Sequence, residues 1–485
     1  MKVRSDISIV MLLTILAAVL RLDLLIASRF IIDSDEAIVG LMAKHIIEGG
    51  EIPTFYYGQH YMGSLEPLSV ALMFKLFGIS EVVLKLTPLL FSVAITPLIY
   101  SIAARLAGVG AGRVAALLWA IPPSPLVIWS SMARGGFIEV IFLIGVGVWL
   151  SIDWFKASAP NPLRTAAIAF VLGVGWWINN QIIYLIAPLS ALMLLHLLVK
   201  RITFTRILFH GVIGILSAIV GSLPFWIYNL QNNWASFGIF GRATSEEMGK
   251  HFIGTFNISL PMLVGAKRFW QMEDSWFQST FVLSAVFGIL LIISLYLLVP
   301  KVRLSEKNQD LWFKFLQRSL MWGIIATAIG AFISSNFGHL VTAPRYLLPI
   351  YLPLFVLVAD AIVYILRLNR ALGLIILSVV MLSNLASSYA GGRAVPGQPY
   401  VAFNQRAAAD HSRLISWLKE RDYKLVETNY WIGYRLAFES REAIKFVQFQ
   451  EPFQVRIDSY EDLKDITPRR LIPIILVPKQ AAFVE

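Results

Sequence analysis

Long apolar stretches recur along almost the whole chain and leave little choice of fold. A segment can cross the hydrocarbon core of a bilayer as a helix when it has roughly 17–25 mostly apolar residues. About eleven stretches meet this condition. They fall near 7–27, 80–104, 111–131, 134–152, 164–180, 181–199, 207–228, 278–299, 319–335, 346–366 and 371–390. The predicted fold class is therefore an α-helical polytopic membrane protein, because only helices or closed barrels satisfy the backbone in lipid.

Charged residues are scarce, and the basic ones lie mainly in short loops between the apolar stretches. Only 15% of the 485 residues are charged, whereas soluble domains have about 25%. The net charge of +11 therefore indicates membrane topology and not nucleic-acid binding. Basic residues in every second loop, counted from the N-terminus, define the cytoplasmic side. They include Lys2, Arg4, Arg105, Arg113, Lys156, Arg164, Lys200, Arg201, Arg206, Lys301, Arg303, Lys307, Lys314, Arg318, Arg367 and Arg370.

This charge pattern predicts an orientation. The N-terminus is placed in the cytoplasm, and segments 28–79, 229–277 and 391–485 are placed on the opposite side. With a cytoplasmic N-terminus, an odd number of spanning helices also places the C-terminus on the opposite side. We therefore expect a multi-pass protein of the cell membrane, either an inner or a plasma membrane. The chain has no cysteine, which excludes disulfides, thiolate metal sites and cysteine nucleophiles.

Two of the outer segments are predicted to contain structure of their own. Apolar residues follow helical spacing from Glu36 to Glu48, and a second short helix is expected near 68–77. Both helices are expected to lie along the membrane surface as juxtamembrane helices. After a glycine- and proline-rich linker, a helix near 404–421 and strands near 423–427, 443–449 and 471–477 predict a small α/β domain. We thus expect a transmembrane domain over 1–390 and an extracytoplasmic α/β domain over 391–485.

A cluster of carboxylates directly follows the first apolar stretch. The cluster consists of Asp33, Asp35 and Glu36 and lies at one membrane face. Charged carboxylates there cost free energy, so we expect them to have a structural or a functional role. One interpretation is helix capping, with Ser34 and Asp35 at the start of the next helix and the helix dipole favouring the charges. The other is chemistry, with Asp35 as a general base for a hydroxyl group. The two interpretations are compatible, and the sequence leaves both open.

Arg134 and Glu139 form a second candidate constellation, at the outer end of the hairpin between the third and fourth stretches. Glu139 is expected about one helical turn inside the membrane. An ionised side chain there costs roughly 2.5–3.5 kcal/mol, so we expect Glu139 to face protein or water, with Arg134 as a partner. The alternative is a purely structural ion pair.

Arg345 begins the tenth stretch on the outer side, against the positive-inside rule. A guanidinium group offers a planar fork of donors that suits a phosphate group. Arg345 is therefore a candidate anion ligand, with Tyr346 beside it. The alternative is an arginine whose side chain reaches the membrane interface without binding anything.

Together these residues resemble a known family. The chain resembles the GT-C glycosyltransferases of the protein O-mannosyltransferase and lipid A aminoarabinose transferase type, over its whole membrane part. The resemblance is carried by Asp35-Glu36 after the first span, by Arg134 with an acidic residue five positions later, and by Arg345-Tyr346 before Pro349. In this family a Lys-Pro-Pro often follows a Gly-x-Pro-Tyr motif in the first loop, whereas here Gly58-Gln59-His60-Tyr61 is followed by Ser64-Leu65-Glu66-Pro67. Here that lysine is absent, and Arg345, Lys44 and His60 are the candidates to replace it.

The resemblance implies an inverting transfer of a sugar from a polyprenyl-phosphate donor to an extracytoplasmic acceptor. It implies catalytic roles for Asp35, with Glu36 and Glu139, and donor-phosphate binding by Arg345, Arg134, Lys44 and His60. The residues expected to bind substrate are Asp33, Tyr57, Tyr61, Glu66 and Tyr346. No cofactor is required by the sequence, and a divalent cation such as Mg²⁺ or Mn²⁺ is left open. No nucleic-acid partner is expected.

A second function class shares many of these features. A flippase or transporter of lipid-linked sugars would also be apolar and would also bury charged residues. Such a protein commonly has broken helices or inverted repeats near the bilayer midplane. The sequence shows neither, and its charges cluster at the outer face, so the glycosyltransferase interpretation is favoured.

Overall fold

The structure is a computed structural model that describes residues 2–157, 160–239, 241–269, 272–299, 309–395, 397–449 and 451–481. Residues 396, 450 and 482–485 of the predicted C-terminal domain lie outside the described residues. The described part is mainly helical, and its strands are few and short.

Nine helices in the described part are long and apolar enough to cross a membrane. They are Asp6–Ala27, Glu81–Ala107, Phe137–Lys156, Asn180–Val199, Phe204–Gly221, Ser279–Leu298, Asp310–Ser334, Arg345–Leu368 and Arg370–Tyr389. Two shorter apolar helices, Val109–Ala120 and Pro162–Ile178, occupy the remaining predicted stretches. The predicted fold class, a polytopic helical membrane protein, is confirmed.

Several of the predicted helix boundaries differ from the structure. The helix predicted near 404–421 is shortened to Ser412–Glu420, because Gln405–Arg406 forms a strand. The stretch 207–228 is divided into the helices Phe204–Gly221 and Leu223–Gln231. The stretch 111–131 is broken into the helices Val109–Ala120 and Ser124–Trp129. The break falls at Pro122 and Pro123, because proline lacks the N–H group that a helix interior needs. The helix predicted from 319 begins ten residues earlier, at Gln309.

The remaining elements are short. The other α-helices are Ser34–Ile47, Leu65–Phe77, Leu223–Gln231, Ser245–Gly254, Leu260–Leu263, Ser412–Glu420, Tyr430–Glu439, Asp458–Glu461, Leu463–Ile466 and Pro478–Ala481. Strands Leu425–Thr428 and Lys445–Gln448 pair in parallel, and Tyr400–Ala402 pairs antiparallel with Gln405–Arg406. The third strand predicted near 471–477 is reduced to a single bridge between Glu427 and Ile474.

The chain folds into two compact units. The first unit contains residues up to Leu24, then Leu90–Ser130 and Phe137–Ala394. The second unit contains Leu25–Leu89, Ser131–Gly136 and the chain from Val395 onward. The second unit therefore combines the segment that follows the first apolar stretch, a six-residue loop and the C-terminal segment.

The second unit has one main apolar core. It is built around Ser34–Ile47, called here the first-loop helix, and Tyr430–Glu439, called the Tyr430 helix. Ile38, Val39 and Met42 are fully buried in this core. At Gly40 the two helices approach so closely that a Cβ atom would lie 2.4 Å from Phe438 Cε2. Only glycine permits this approach without displacement of the ring.

Candidate active site

The N-terminus of the first-loop helix is capped by Asp33. The Asp33 side chain accepts a hydrogen bond from the Glu36 amide at 3.0 Å, and the Glu36 carboxylate accepts one from the Asp33 amide at 3.1 Å. This reciprocal capping box satisfies two donors that would otherwise lack partners. The capping predicted for Ser34 and Asp35 is thus performed by Asp33 instead. Capping does not account for Asp35.

Arg134 joins the carboxylates of Asp33 and Asp35. Its Nη1 atom lies 3.0 Å from Asp33 Oδ2, and its Nη2 atom donates to Asp35 Oδ2. Although burial would lower the pKa of Arg134, the nearby carboxylates raise it, so the guanidinium group stays charged. The two arms of one guanidinium group thereby fix the spacing of the two aspartates, as only a planar fork can.

Two buried glutamates hold the arginine loop, which comprises residues 131–136. Glu36 Oε1 accepts from the Ala133 amide at 3.2 Å, and Glu66 Oε2 accepts from the Gly136 amide at 3.1 Å. Each glutamate is only 1% exposed. Glu36 and Glu66 therefore hold the loop in position, and their predicted catalytic and substrate-binding roles remain predictions.

Lys85 neutralises Glu36. Its Nζ atom lies 2.7 Å from both carboxylate oxygens, and both side chains are 1% exposed. Burial raises the pKa of Glu36, and the charge and hydrogen bond of Lys85 oppose that shift. Lys85 was not among the residues predicted for the site. The sequence does contain a signal for Lys85, because a lysine in the first turns of an apolar span requires a partner for its charge.

Glycine permits the shape of the arginine loop. Gly135 and Gly136 have φ angles of +76° and +73°, a region that residues with a Cβ atom rarely adopt. A Cβ atom on Gly135 would also lie 2.3 Å from Met62 Sδ. Both effects explain why two glycines follow Arg134.

The C-terminal segment contributes two residues near Asp35. The Tyr430 hydroxyl donates to Asp35 Oδ1 at 2.6 Å. Arg456 lies over the rings of Tyr56 and Tyr430, with its Cζ atom 5.7 and 5.8 Å from the ring centroids. Tyr56 donates in turn to the main-chain carbonyl of Asp35 at 2.8 Å. Asp35 keeps 20% of its side chain exposed, so among these carboxylates it is well placed to meet a substrate.

Lys44 and Tyr57 belong to a different network in the same unit. Lys44 Nζ lies 2.7 Å from Glu442 Oε2 and 2.8 Å from Glu48 Oε2, as the i,i+4 spacing predicts for the latter pair. The Tyr57 hydroxyl lies 3.0 Å from His45 Nδ1, and His45 Nε2 lies 3.0 Å from Glu442. This network ties the first-loop helix to the end of the Tyr430 helix.

The loop between Phe55 and Gly63, in the second unit, contains His60 and Tyr61. The loop is closed by an antiparallel bridge between Phe55 and Gly63. His60 is exposed and Tyr61 is half-buried. Their predicted binding roles remain predictions.

Three predicted site residues lie in the first unit. Glu139, in the first turn of Phe137–Lys156, is fully buried, and neither of its carboxylate oxygens has a hydrogen-bond partner in the described part of the chain. The Arg345 guanidinium lies 5.4 Å from the Tyr346 ring and 5.9 Å from the Phe137 ring. Within the described residues Arg345 forms no ion pair, and its Nε atom has no hydrogen-bond partner.

No group of three or more His, Asp or Glu side chains among the described residues is arranged to hold a metal ion. The three neighbouring carboxylates Asp33, Asp35 and Glu36 are instead bound by Arg134 and Lys85.

Solved structures resemble this chain, although neither a protein-family model nor a curated protein sequence matches it. ArnT from Cupriavidus metallidurans in the apo state matches with a TM-score of 0.58 and 10% identity, over 94% of this chain and 89% of ArnT. ArnT bound to undecaprenyl phosphate matches with a TM-score of 0.55 and 11% identity, over 95% and 89%. This chain has the ArnT fold.

A second solved protein supports the same fold. The oligosaccharyltransferase AglB from Archaeoglobus fulgidus, in complex with an inhibitory peptide and a dolichol-phosphate, matches with a TM-score of 0.54 and 13% identity. The match covers 93% of this chain but 65% of AglB. The predicted resemblance to the GT-C type is confirmed for the fold, whereas the roles of individual residues depend on the geometry described above.

Proposed function

We propose that this chain is an integral-membrane glycosyltransferase that moves a sugar from a polyprenyl-phosphate donor to an extracytoplasmic acceptor. The fold supports this class: solved relatives of the same fold were captured with undecaprenyl phosphate and with a dolichol-phosphate. The observation that carries the proposal is Asp35. It is partly exposed, it is oriented by Arg134 and Tyr430, and helix capping does not require it.

Asp35 acts as the general base in the proposed reaction. An acceptor hydroxyl loses its proton to the Asp35 carboxylate while its oxygen attacks the anomeric carbon of the donor sugar. The bond from that carbon to the phosphate oxygen breaks on the opposite face, so a single displacement inverts the anomeric configuration. A positioned base contributes about 10²–10⁴-fold to such a step.

The leaving group is a lipid phosphate, which gains negative charge as the bond breaks. Arg345 is proposed as its ligand, because the guanidinium group lacks an anionic partner among the described residues and is held between aromatic rings. Fixed positive charge at the point where negative charge develops stabilises the transition state. Glu139 is proposed to accept hydrogen bonds from sugar hydroxyl groups, which would satisfy its buried oxygens.

The decisive experiment separates a transferase from a flippase. Purified full-length protein in liposomes is given polyprenyl-phosphate donors that differ in their sugar, with a chelator present or absent. The proposal predicts cleavage of the sugar–phosphate bond, with water taking the place of the acceptor hydroxyl, and accumulation of free sugar and free polyprenyl phosphate. Movement of intact donor between leaflets, without cleavage for any sugar, would favour the transporter instead.

A further inference from the structure

The feature that the proposed reaction does not yet explain is a hydrogen bond between distant parts of the chain. Tyr430 donates its hydroxyl hydrogen to Asp35 Oδ1 at 2.6 Å, although 395 residues separate the two in sequence. Both residues belong to the second unit. The C-terminal segment thus reaches the carboxylate that the proposed mechanism uses as base.

The direction of this hydrogen bond is well defined. Burial, together with the charge of Asp35, raises the pKa of Tyr430, so its hydroxyl group stays protonated and donates. An ionised carboxylate only accepts, and it has about four acceptor positions. The Asp35 carboxylate can therefore accept hydrogen bonds from Tyr430 and Arg134 and still accept one from a substrate hydroxyl.

The Tyr430 side chain is held rigidly. It is 1% exposed, and its ring packs edge-on against Tyr434 with centroids 5.1 Å apart. The start of its helix is fixed by Asn429, whose side chain accepts from the Trp431 amide and donates to the Glu451 carbonyl. The hydroxyl group therefore has little freedom to move away from Asp35.

Other charged and titratable groups surround the same carboxylate. Arg134 holds the other oxygen from the arginine loop, and Asp33 and Glu36 flank Asp35 on its own helix. Tyr56 binds the Asp35 carbonyl, and Arg456 lies over the Tyr430 ring. Of these groups, Tyr430 and Arg456 come from the C-terminal segment.

We infer that Tyr430 is a positioning residue for Asp35, and that the C-terminal segment is part of the active site rather than a separate acceptor-binding module. This inference rests on the proposed function. The hydroxyl group orients the carboxylate toward the acceptor and stabilises its ionised form, since a hydrogen bond to the charged form favours that form.

The test is the pH profile of kcat/KM for Tyr430→Phe. Without the Tyr430 hydroxyl, the ionised form of the Asp35 carboxylate loses a hydrogen bond and becomes less favourable. Because Asp35 must be ionised to act as a base, the acidic limb of the profile should move to higher pH. We expect a displacement of about one pH unit and a fall in kcat of about tenfold, with unchanged donor affinity.

A matched control exists in the same unit. Tyr460 donates to Glu442 Oε1 at 2.6 Å and is 2% exposed, so Tyr460→Phe removes an equivalent hydrogen bond to a carboxylate other than Asp35. Tyr460→Phe should leave the acidic limb in place. A Tyr430→Phe profile that coincides with the wild-type profile, or a loss of donor binding without a displaced limb, would overturn the inference.

A double-variant cycle provides a second measurement. If Tyr430 acts through Asp35, adding Tyr430→Phe to Asp35→Asn should not reduce residual turnover further. Multiplicative effects of the two changes would contradict a shared role. Full activity of Asp35→Asn alone would refute the proposed base itself, which is a distinct outcome.

Discussion

At the scale of single residues, neighbouring carboxylates take separate roles. Asp33 caps the first-loop helix, Glu36 is buried against Lys85, and Asp35 stays partly exposed. The sequence predicted that this cluster matters, but it could not assign the roles. The cap formed by Asp33 is local, whereas the assignments of Glu36 and Asp35 depend on partners about 50 to 400 residues away, namely Lys85, Arg134 and Tyr430.

Arg134 illustrates the same difficulty. The spacing to Glu139 suggested a local partner, because the two are five residues apart. In the structure the ion pairs of Arg134 are with Asp33 and Asp35. Local spacing identified the arginine but not its partners, since a loop residue need not face a residue in the first turn of the following helix.

The bridging role of Arg134 predicts that lysine cannot replace it. Arg134→Lys keeps the positive charge but cannot bind both aspartates through a planar fork. We expect transfer activity to fall by about 10²-fold, because Asp35 would shift from its position. Arg113→Lys, at a half-exposed arginine paired with Asp6, should retain activity in the same assay.

At the scale of elements, the Tyr430 helix was not predicted. The strands on either side were predicted near their observed positions, at Leu425–Thr428 and Lys445–Gln448. Because these strands are parallel, the connection between them must cross over, and a crossover is usually a helix. Strand direction is not visible in the sequence, so the sequence did not indicate this crossover helix.

The close approach of the two helices predicts a steric effect at Gly40. In Gly40→Val the Cβ atom would overlap the Phe438 ring, which is 2% exposed and cannot easily move. We expect a loss of about 1–3 kcal/mol in the free energy of unfolding, measured by thermal unfolding in detergent. Gly249→Ala, where nothing lies within 4 Å of the added Cβ atom, should not destabilise the protein.

The network around Glu442 predicts a pH-dependent contribution to stability. Burial alone would raise the pKa of Glu442, but hydrogen bonds from His45, Lys44 and Tyr460 outweigh it and lower the pKa. A depressed pKa stabilises the folded state above the unfolded value of about 4.3 and loses this effect as the pH falls toward the folded value.

The corresponding variant is Glu442→Gln. The difference in melting temperature between wild type and this variant should be largest near neutral pH and should shrink below about pH 4. Glu246→Gln provides the comparison, because Glu246 is 80% exposed, and it should show little difference at any pH. A constant difference for Glu442→Gln across the range would contradict the assigned hydrogen bonds.

At the scale of the whole molecule, the sequence predicted the membrane part well. Each predicted apolar stretch corresponds to a long or a shorter apolar helix in the described part. Periodicity and length suffice for this, because a spanning helix is specified locally. The composition of the second unit could not be predicted in this way, because it joins Leu25–Leu89, Ser131–Gly136 and the chain from Val395 onward.

The predicted orientation can be tested without background, because the chain has no cysteine. Lys424→Cys, at a 78% exposed side chain, should react with a membrane-impermeant thiol reagent added outside intact cells. Arg370→Cys, in a loop predicted to be cytoplasmic, should react only after permeabilisation. The reverse labelling pattern would contradict the charge-based topology.

The role of Asp35 as the general base is tested most directly by single-turnover release of sugar from a polyprenyl-phosphate donor. The release is measured for Asp35→Asn, and donor binding is measured on the same sample. Asparagine keeps the size of the side chain but cannot accept a proton as a base. We expect Asp35→Asn to bind donor like the wild type and to release sugar at least about 10²-fold more slowly. Glu48→Gln, at a 52% exposed carboxylate of the same region, should release sugar normally. Release by Asp35→Asn at the wild-type rate would show that Asp35 is not the base.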